Sequence, residues 1–441
     1  MSSDAFESSA ESPTDAHRRR ERELLGPGIS AAVDWIGIVV ARAEGARVWD
    51  TEGKSYLDFM GGAGVNLIGH SHPRLVSAIA QQSRAWMIGA HASKARLALL
   101  EKLSAVLPDD TMQTQFYSGG SEAVEAALRL AKSATGRFGV LSFWNSFHGR
   151  TAAGLALTPG AHGGYGPAVP GVTHAPYADC ASCPLRLTFP SCGFACVDHA
   201  RQVVAQSSAP APAAIVVEPV QGRAGNLVPP SGYLAALREL ARELGALLVV
   251  DESMTGFGRT GRMFAVEHDD VVPDVLIMGK GMGGGYPVTA VAAHRDLMRT
   301  APFGLPSGSS SSFGGFPLAC AAASAVLDVV RDEHLVTRGR ETGNALLRLL
   351  TSELGNLPVV GRIQGQGMAL GIQLVDPRCP RTAFPRPRLR RVVSQLAHHG
   401  VLVMAGGNSL RLYPPLNVGL EDAEHAVAVL GGVLADSGPA T

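Results

Sequence analysis

The sequence predicts an α/β fold built on a mixed, mostly parallel sheet, and three observations carry that expectation. Short apolar runs without alternation, Ala213–Val217, Ala246–Val250 and Val275–Met278, read as strands buried on both faces. Each run ends at or beside charged residues: Glu218, the pair Asp251-Glu252, and Lys280 after Gly279. Helical patterns accompany the runs: SEAVEAALRLAK from Ser121 precedes them, and residues 231–244 lie between the first two. In such sheets ligands bind outside the carboxyl ends of the strands, where these charges fall.

Composition bounds the rest. The 441 residues suffice for one large and one smaller domain, and 46% hydrophobic against 17% charged content suits a large buried sheet and a subunit interface. Lys+Arg and Asp+Glu balance at 38 each, so no field for nucleic acid or membrane is implied. No apolar run approaches the roughly 20 residues of a membrane helix. Arg18-Arg19-Arg20 has no apolar segment behind it, so the start does not read as a signal peptide and the chain reads as cytoplasmic.

Taken in order, residues 1–25 are polar and expected to be disordered. Val48-Trp49 and Tyr56–Phe59 form a hairpin turning at Glu52-Gly53. His70 and His72 beside Pro73 could be a metal pair or a turn before a helix, and residues 74–105 are helical. Gln113–Tyr117 is a strand entering Ser118-Gly119-Gly120-Ser121, with Ser121 a natural N-cap for the next helix. A glycine-rich helix start is either a phosphate site or an ordinary cap. Phe138–Phe143 is a strand leading to Ser146–Thr151. Residues 168–212 are rich in Pro, Cys and Ala, and hold Cys180, Cys183, Cys192 and Cys196 with His174 and His199 nearby. That spacing is open between a loop of reduced thiols and a zinc or iron–sulfur site. Residues 318–352 are helical. Strands at 360–363, 367–374, 402–403 and 410–416 form one small sheet, with a loop from Pro377 entering a helix by Arg391 and a last helix at 420–434.

The central stretch carries the chemistry. A literal G-x-G-x-x-G stands at 256–261, but no convincing helix follows and Asp251 and Glu252 would crowd a pyrophosphate. An Asp and a Lys delivered from neighbouring strands suit pyridoxal phosphate instead: the lysine bonds its aldehyde and the aspartate keeps its ring nitrogen protonated.

DESMTGFGRTG at 251–261 with PDVLIMGKGMGGGYPVTAV at 273–291 resembles the signature of class III, 4-aminobutyrate/ornithine-type, PLP-dependent aminotransferases, and the likeness runs from about residue 35 to 435. The resemblance implies PLP fold type I, with a seven-stranded sheet in a large domain and an α+β small domain. Residues 26–75 and 321–441 would form the small domain and 76–320 the large one, with a Cys-rich insertion at about 175–200. It implies that Lys280 and Asp251 are catalytic, and that Gly119, Gly120, Ser121 and a partner subunit's Ser312 hold the phosphate. Phe147 would stack on the ring, and His148, Glu218, Ser253 and Met254 would complete the cofactor site. Arg150 would grip a substrate's far carboxylate and Arg411 its α-carboxylate, with Glu218 pairing Arg411 until a keto acid arrives. The active unit would be a homodimer with shared sites. The chain departs from the family where Gly119 replaces a frequent Ser, Ser253-Met254 replace Val-Gln, Ser312 replaces Thr and Phe316 replaces Asn.

The expected reaction is transfer of an amino group from an amine or ω-amino acid of the 4-aminobutyrate kind to a 2-oxo acid such as 2-oxoglutarate or pyruvate. A racemase or epimerase, a decarboxylating transaminase and a phospho-lyase on the same scaffold are the alternatives. A dehydrogenase or a metal-binding protein would leave Asp251 and Lys280 together without a purpose.

Overall fold

The computed structural model describes residues 11–160, 164–207 and 211–437. Three sheets organise it. The central one comprises β4 (Met112–Tyr117), β5 (Gly139–Phe143), β6 (Val172–Ala175), β7 (Pro212–Val217), β8 (Leu247–Glu252), β9 (Val275–Met278) and β10 (Thr289–His294), with strand order β4-β10-β9-β8-β7-β5-β6. Only β10 runs against its neighbours β9 and β4; the pairs β9–β8, β8–β7, β7–β5 and β5–β6 are parallel. The predicted mixed, mostly parallel sheet of seven strands is therefore present.

Its apolar runs lack alternation because both faces are covered. Successive residues point to opposite sides. Val216, Val249, Ile277 and Val291 pack under the helix Gly120–Thr135, while Ile215, Val217, Leu248, Val250, Leu276 and Met278 join the larger core on the other face.

Two smaller sheets flank it where the sequence reading expected one. β1 (Val40–Glu44), β2 (Arg47–Asp50) and β3 (Ser55–Asp58) receive β14 (Val401–Leu402) in parallel with β3. β11 (Val360–Gln366), β12 (Ala369–Asp376), β16 (Ser409–Leu412) and β15 (Met404–Gly406) form the other, with β13 (Cys379–Ala383) paired to β12. The break between Leu402 and Met404 sends adjacent pieces of chain to different sheets, which an apolar run alone does not reveal.

Other differences have local causes. Residues 13–24, expected to be disordered, form a helix: Ser12 accepts a bond from the Asp15 amide, Pro13 opens it, and Arg19 pairs with Glu11 and Glu23. It buries no residue, so its cap, ion pairs and polar contacts support it, among them Thr14 donating to Glu52 and Arg18 to the Asp34 carbonyl. Residues 1–10 lie outside the described residues. The stretch 74–105 divides into helices Pro73–Ala85 and Lys94–Ser104, and 318–352 into Pro317–Asp332 and Leu335–Leu354. The Cys-rich stretch contains β6 and the helix Ala195–Gln206. Among the described residues no helix is long and apolar enough to cross a membrane.

Arg259 joins three distant segments. Its side chain is fully buried and donates to the carbonyls of Asn66, Met368 and Pro414. It has no carboxylate partner among the described residues, and burial pushes its pKa down to about 10. A guanidinium's rigid fork of donors suits several carbonyls at once.

Candidate active site

The carboxyl ends of β4, β5, β7, β8 and β9 lie on one edge of the sheet, and the amino end of β10 joins them because Thr289 pairs with Tyr117. Asp251 is the last residue but one of β8 and pairs with Ile277, three residues before Lys280. Glu218 follows Val217, which pairs with Val250. His148 arrives on the loop after β5, and Arg411 comes from β16 of a flanking sheet.

Asp251 is buried and doubly held: His148 Nδ1 lies 2.9 Å from one carboxylate oxygen, and the Ser253 amide donates to the other at 3.0 Å. Burial alone would raise the Asp251 pKa, but the hydrogen bond and charge of His148 outweigh it, and the group stays below the ordinary carboxylate range. His148 shows the converse. Burial would lower its pKa, yet the bond to Asp251 raises it. Its Nε2 is buried without a hydrogen-bond partner.

Lys280 sits just past β9 with φ 42°, a left-handed conformation that costs energy for a residue with a Cβ. Burial pushes its pKa down against the opposing charges of Asp251 and Glu218, and the positive charge of Arg411 adds to the lowering. The four charges thus act on one point.

Glu218 accepts from the Phe147 amide at 2.8 Å and from the Gly222 amide at 3.4 Å. Burial raises its pKa to about 7. The expected ion pair with Arg411 is not formed. Arg411 donates instead to the Gly222 carbonyl at 3.3 Å, and its buried Nε has no partner. Gly222 thus stands between them, its amide on the glutamate and its carbonyl on the arginine. The two side chains expected to pair are thus held apart.

At the start of the helix Gly120–Thr135 the N-cap is Gly119, not Ser121. Ser121 lies one position inside the first turn, and its Oγ accepts from the Arg150 amide at 3.1 Å. A Cβ added at Gly119 or Gly120 would meet nothing within 4 Å, so open space faces the first-turn amides. Arg150 is exposed, its guanidinium 5.5 Å from the centre of the Phe147 ring. Met254 abuts Gly64, where a Cβ would come within 2.5 Å of its sulfur. Ser253 lies against Gly279, and Ser312 is exposed on the single chain.

The sequence reading missed several supports. Thr289 donates to the Gly119 carbonyl at 3.2 Å, Tyr177 donates to the carbonyls of Glu218 and Pro219, and Tyr413 donates to Asn226 at 2.7 Å. Residues Gly61 to Gly64 all have positive φ, Ala63 included, making a left-handed turn beside Met254 and Tyr413. The run of glycines was its one signal. His70 and His72 proved structural: His70 bonds Asp58 at 2.8 Å, and His72 caps the helix from Pro73 and bonds Glu333 at 3.0 Å.

The pattern of class-III aminotransferases matches residues 29–434. The chain belongs to that family. Acetylornithine aminotransferase of Methanothermobacter thermautotrophicus is 36% identical over 404 residues, spanning 90% of this enzyme and 94% of that one. Ornithine aminotransferase 1 of Staphylococcus aureus is 34% identical over 416 residues, with 90% and 94% covered. Among solved structures, ornithine aminotransferase of Toxoplasma gondii superposes with TM-score 0.84 at 28% identity, covering 96% of each chain. An (S)-enantioselective omega-transaminase of Thermomicrobium roseum gives 0.85 at 29%, covering 91% and 93%.

The enzyme is PLP-dependent, and its site fits that cofactor. The fit has three parts: free amides facing open space at a helix start, a buried carboxylate kept ionised, and a lysine amine whose charge burial disfavours. Among the described residues no three His, Cys, Asp or Glu side chains form a ready metal site.

Proposed function

We propose that this aminotransferase takes its amino group from the terminal amine of an ω-amino acid or related amine and passes it to a 2-oxo acid such as 2-oxoglutarate or pyruvate. The observation that carries the reading is Arg411: a buried guanidinium with no carboxylate partner and an unused Nε, beside a glutamate close to half-protonated at neutral pH. A 2-oxo acid supplies the missing carboxylate. A donor amine without an α-carboxylate leaves Arg411 on Gly222.

Pyridoxal phosphate, when bound, supplies an aldehyde that captures amines and a ring that accepts the electrons of the bond being broken. The chain's residues do the rest. Gly119, Gly120 and Ser121 would hold the phosphate at the helix start. Asp251, kept ionised by His148, would hold the ring nitrogen protonated, and Phe147 would cover the ring face. Lys280 would bind the aldehyde and, once displaced, carry a proton to and from the substrate carbon. Arg150 would receive a second carboxylate at the mouth.

The relatives' names, acetylornithine and ornithine aminotransferase, support a donor with a terminal amine. They do not favour 4-aminobutyrate over other ω-amino acids. We read the active unit as a homodimer in the cytoplasm. Met87, Ile88, Leu97 and Phe313 are exposed apolar residues on adjacent segments, linked where Leu318 bonds Met87, and Ser312 lies among them. The six unpaired cysteines suit a reducing compartment.

The test is a panel of amines, each incubated with 2-oxoglutarate or pyruvate. Appearance of glutamate or alanine from terminal amines supports the reading. Racemisation, elimination, or carbon dioxide release without amino transfer would overturn it.

A further inference from the structure

The thiols at Cys180, Cys183, Cys192 and Cys196 have no place in transamination, yet the fold gathers them. Cys180 opens a short 3₁₀ turn after β6, Cys183 closes it, and Cys196 is the second residue of the helix Ala195–Gln206. All four are unpaired and border one cavity of about 20 Å³, which Phe189 and Phe194 also line. Asp179, the carboxylate nearest in sequence, is already used: it caps Ser182 and pairs with Arg362 at 2.7 Å.

We propose that these four cysteines bind one zinc ion that staples the loop between β6 and the following helix. The cavity, about 20 Å³ against the roughly 10–15 Å³ needed for one water, has room for one ion. Four thiolates with no oxygen ligand favour tetrahedral zinc. A divalent cation would supply the charge that four thiolates gathered on one cavity lack. The amides of Cys196 and Val197 face the Cys196 sulfur, as bonds to a metal-bound thiolate would require. No three of the side chains already stand in ligating positions, so the thiols must turn inward to close on the ion. Binding is redox-neutral: four thiols release four protons and donate four sulfur lone pairs to Zn²⁺, leaving a site of charge −2.

The staple would reach the active site through packing. Tyr177, three residues before Cys180, holds the Glu218 and Pro219 carbonyls, and Phe194 packs on Tyr233, which in turn meets Tyr177 at 5.0 Å. The Asp179–Arg362 pair ties the same loop to β11.

The test is elemental analysis of the PLP-loaded enzyme, expressed in zinc-supplemented medium and exchanged into metal-free buffer. One zinc per chain is expected. Cys183→Ser with Cys192→Ser should lose it, keep PLP in stoichiometric amount, and melt at lower temperature. A strong chelator should lower the wild-type melting temperature, and zinc should restore it. Should the double variant fail to fold, the wild type decides: reduced, metal-free enzyme titrated with cobalt(II) should develop thiolate-to-cobalt charge-transfer bands that zinc abolishes. A wild-type enzyme that takes up no metal after reduction, a disulfide among the four in freshly lysed cells, or acid-labile sulfide in the protein would each overturn the proposal.

Discussion

Replacing Arg411 with alanine should damage one half-reaction far more than the other. A 2-oxo acid that binds as proposed gains two charge-assisted hydrogen bonds from the guanidinium, one to the idle Nε and one to an Nη. At about 1.5–3 kcal/mol each they total about 3–6 kcal/mol. The bond from Arg411 to the Gly222 carbonyl must be given up, at about 1 kcal/mol. The net, about 2–5 kcal/mol, corresponds to a loss of about 30-fold to about 5,000-fold in kcat/KM for the 2-oxo acid. Arg411→Lys keeps the charge without the two-pronged geometry and should fall between. Single-turnover kinetics separate the steps, the amine reacting with one form of the loaded enzyme and the 2-oxo acid with the other. The amine step should change by less than about 5-fold, because a donor without an α-carboxylate never needs Arg411, and that corresponds to under about 1 kcal/mol. Equal damage to both steps would refute the reasoning and make Arg411 a structural charge.

Further outcomes follow from the same geometry. Borohydride reduction and peptide mapping should place a pyridoxyl label on Lys280, and Lys280→Ala should retain fold and non-covalent PLP while losing several orders of magnitude in turnover. Glu218, raised from 4.5 to about 7, stabilises the fold below its unfolded pKa, and that contribution is lost as pH rises through about 7. Glu218→Gln should therefore flatten this fall, worth about 3 kcal/mol, and also remove any rise in KM for the 2-oxo acid above pH 7, both read from pH series of unfolding and kinetics. His148→Ala strips a buried carboxylate of its partner and should cost about 3–5 kcal/mol in denaturant unfolding. In the wild type the depressed Asp251 loses its contribution as pH falls through its pKa, and the raised His148 loses its own as pH climbs through its pKa. The variant should be less sensitive at both ends.

Much of this was legible because burial writes itself into strands. Val275–Met278 could hardly be anything but a strand covered on both faces, and the charge just after it had to stand at the sheet edge. What composition could not show was which surface each neighbour occupies. Leu402 and Met404 are two residues apart and belong to different sheets, a matter of which edges were open. The helix Pro13–Leu24 is polar throughout, so hydrophobic periodicity was silent and only Ser12-Pro13 signalled it. In the site, residues at strand ends were found and those acting through backbone bonds were not. Thr289 looks like one more β-branched residue, and Gly222 carries no side chain to read. The separation of Glu218 from Arg411 depends on how closely the loop 222–226 packs on β12. There a Cβ on Gly371 would lie 1.9 Å from the Gly225 carbonyl oxygen, so the approach exists only because residue 371 is glycine.

The electrostatics of the site are best understood as a sorting of protons among groups that could not all be charged. Buried Asp251, Glu218 and Arg411 and half-buried Lys280 reach one region from four strand ends or strands. Burial penalises every charge there, so each group's state depends on the hydrogen bonds that answer it. Asp251 has His148 and the Ser253 amide and remains ionised, the state in which it can hold a protonated ring nitrogen. Glu218 has only two backbone amides and drifts to about 7, the state in which a small change nearby can ionise it or neutralise it. Lys280 faces both carboxylates yet is pushed down by burial, toward the neutral amine that bonds an aldehyde. Two carboxylates of the same chemistry are thus given different protonation behaviour by their surroundings, one kept ionised and one poised near neutral pH. The left-handed backbone at Lys280 fits this arrangement. It is a strained conformation at the residue whose amine lies under the charges of Asp251 and Glu218.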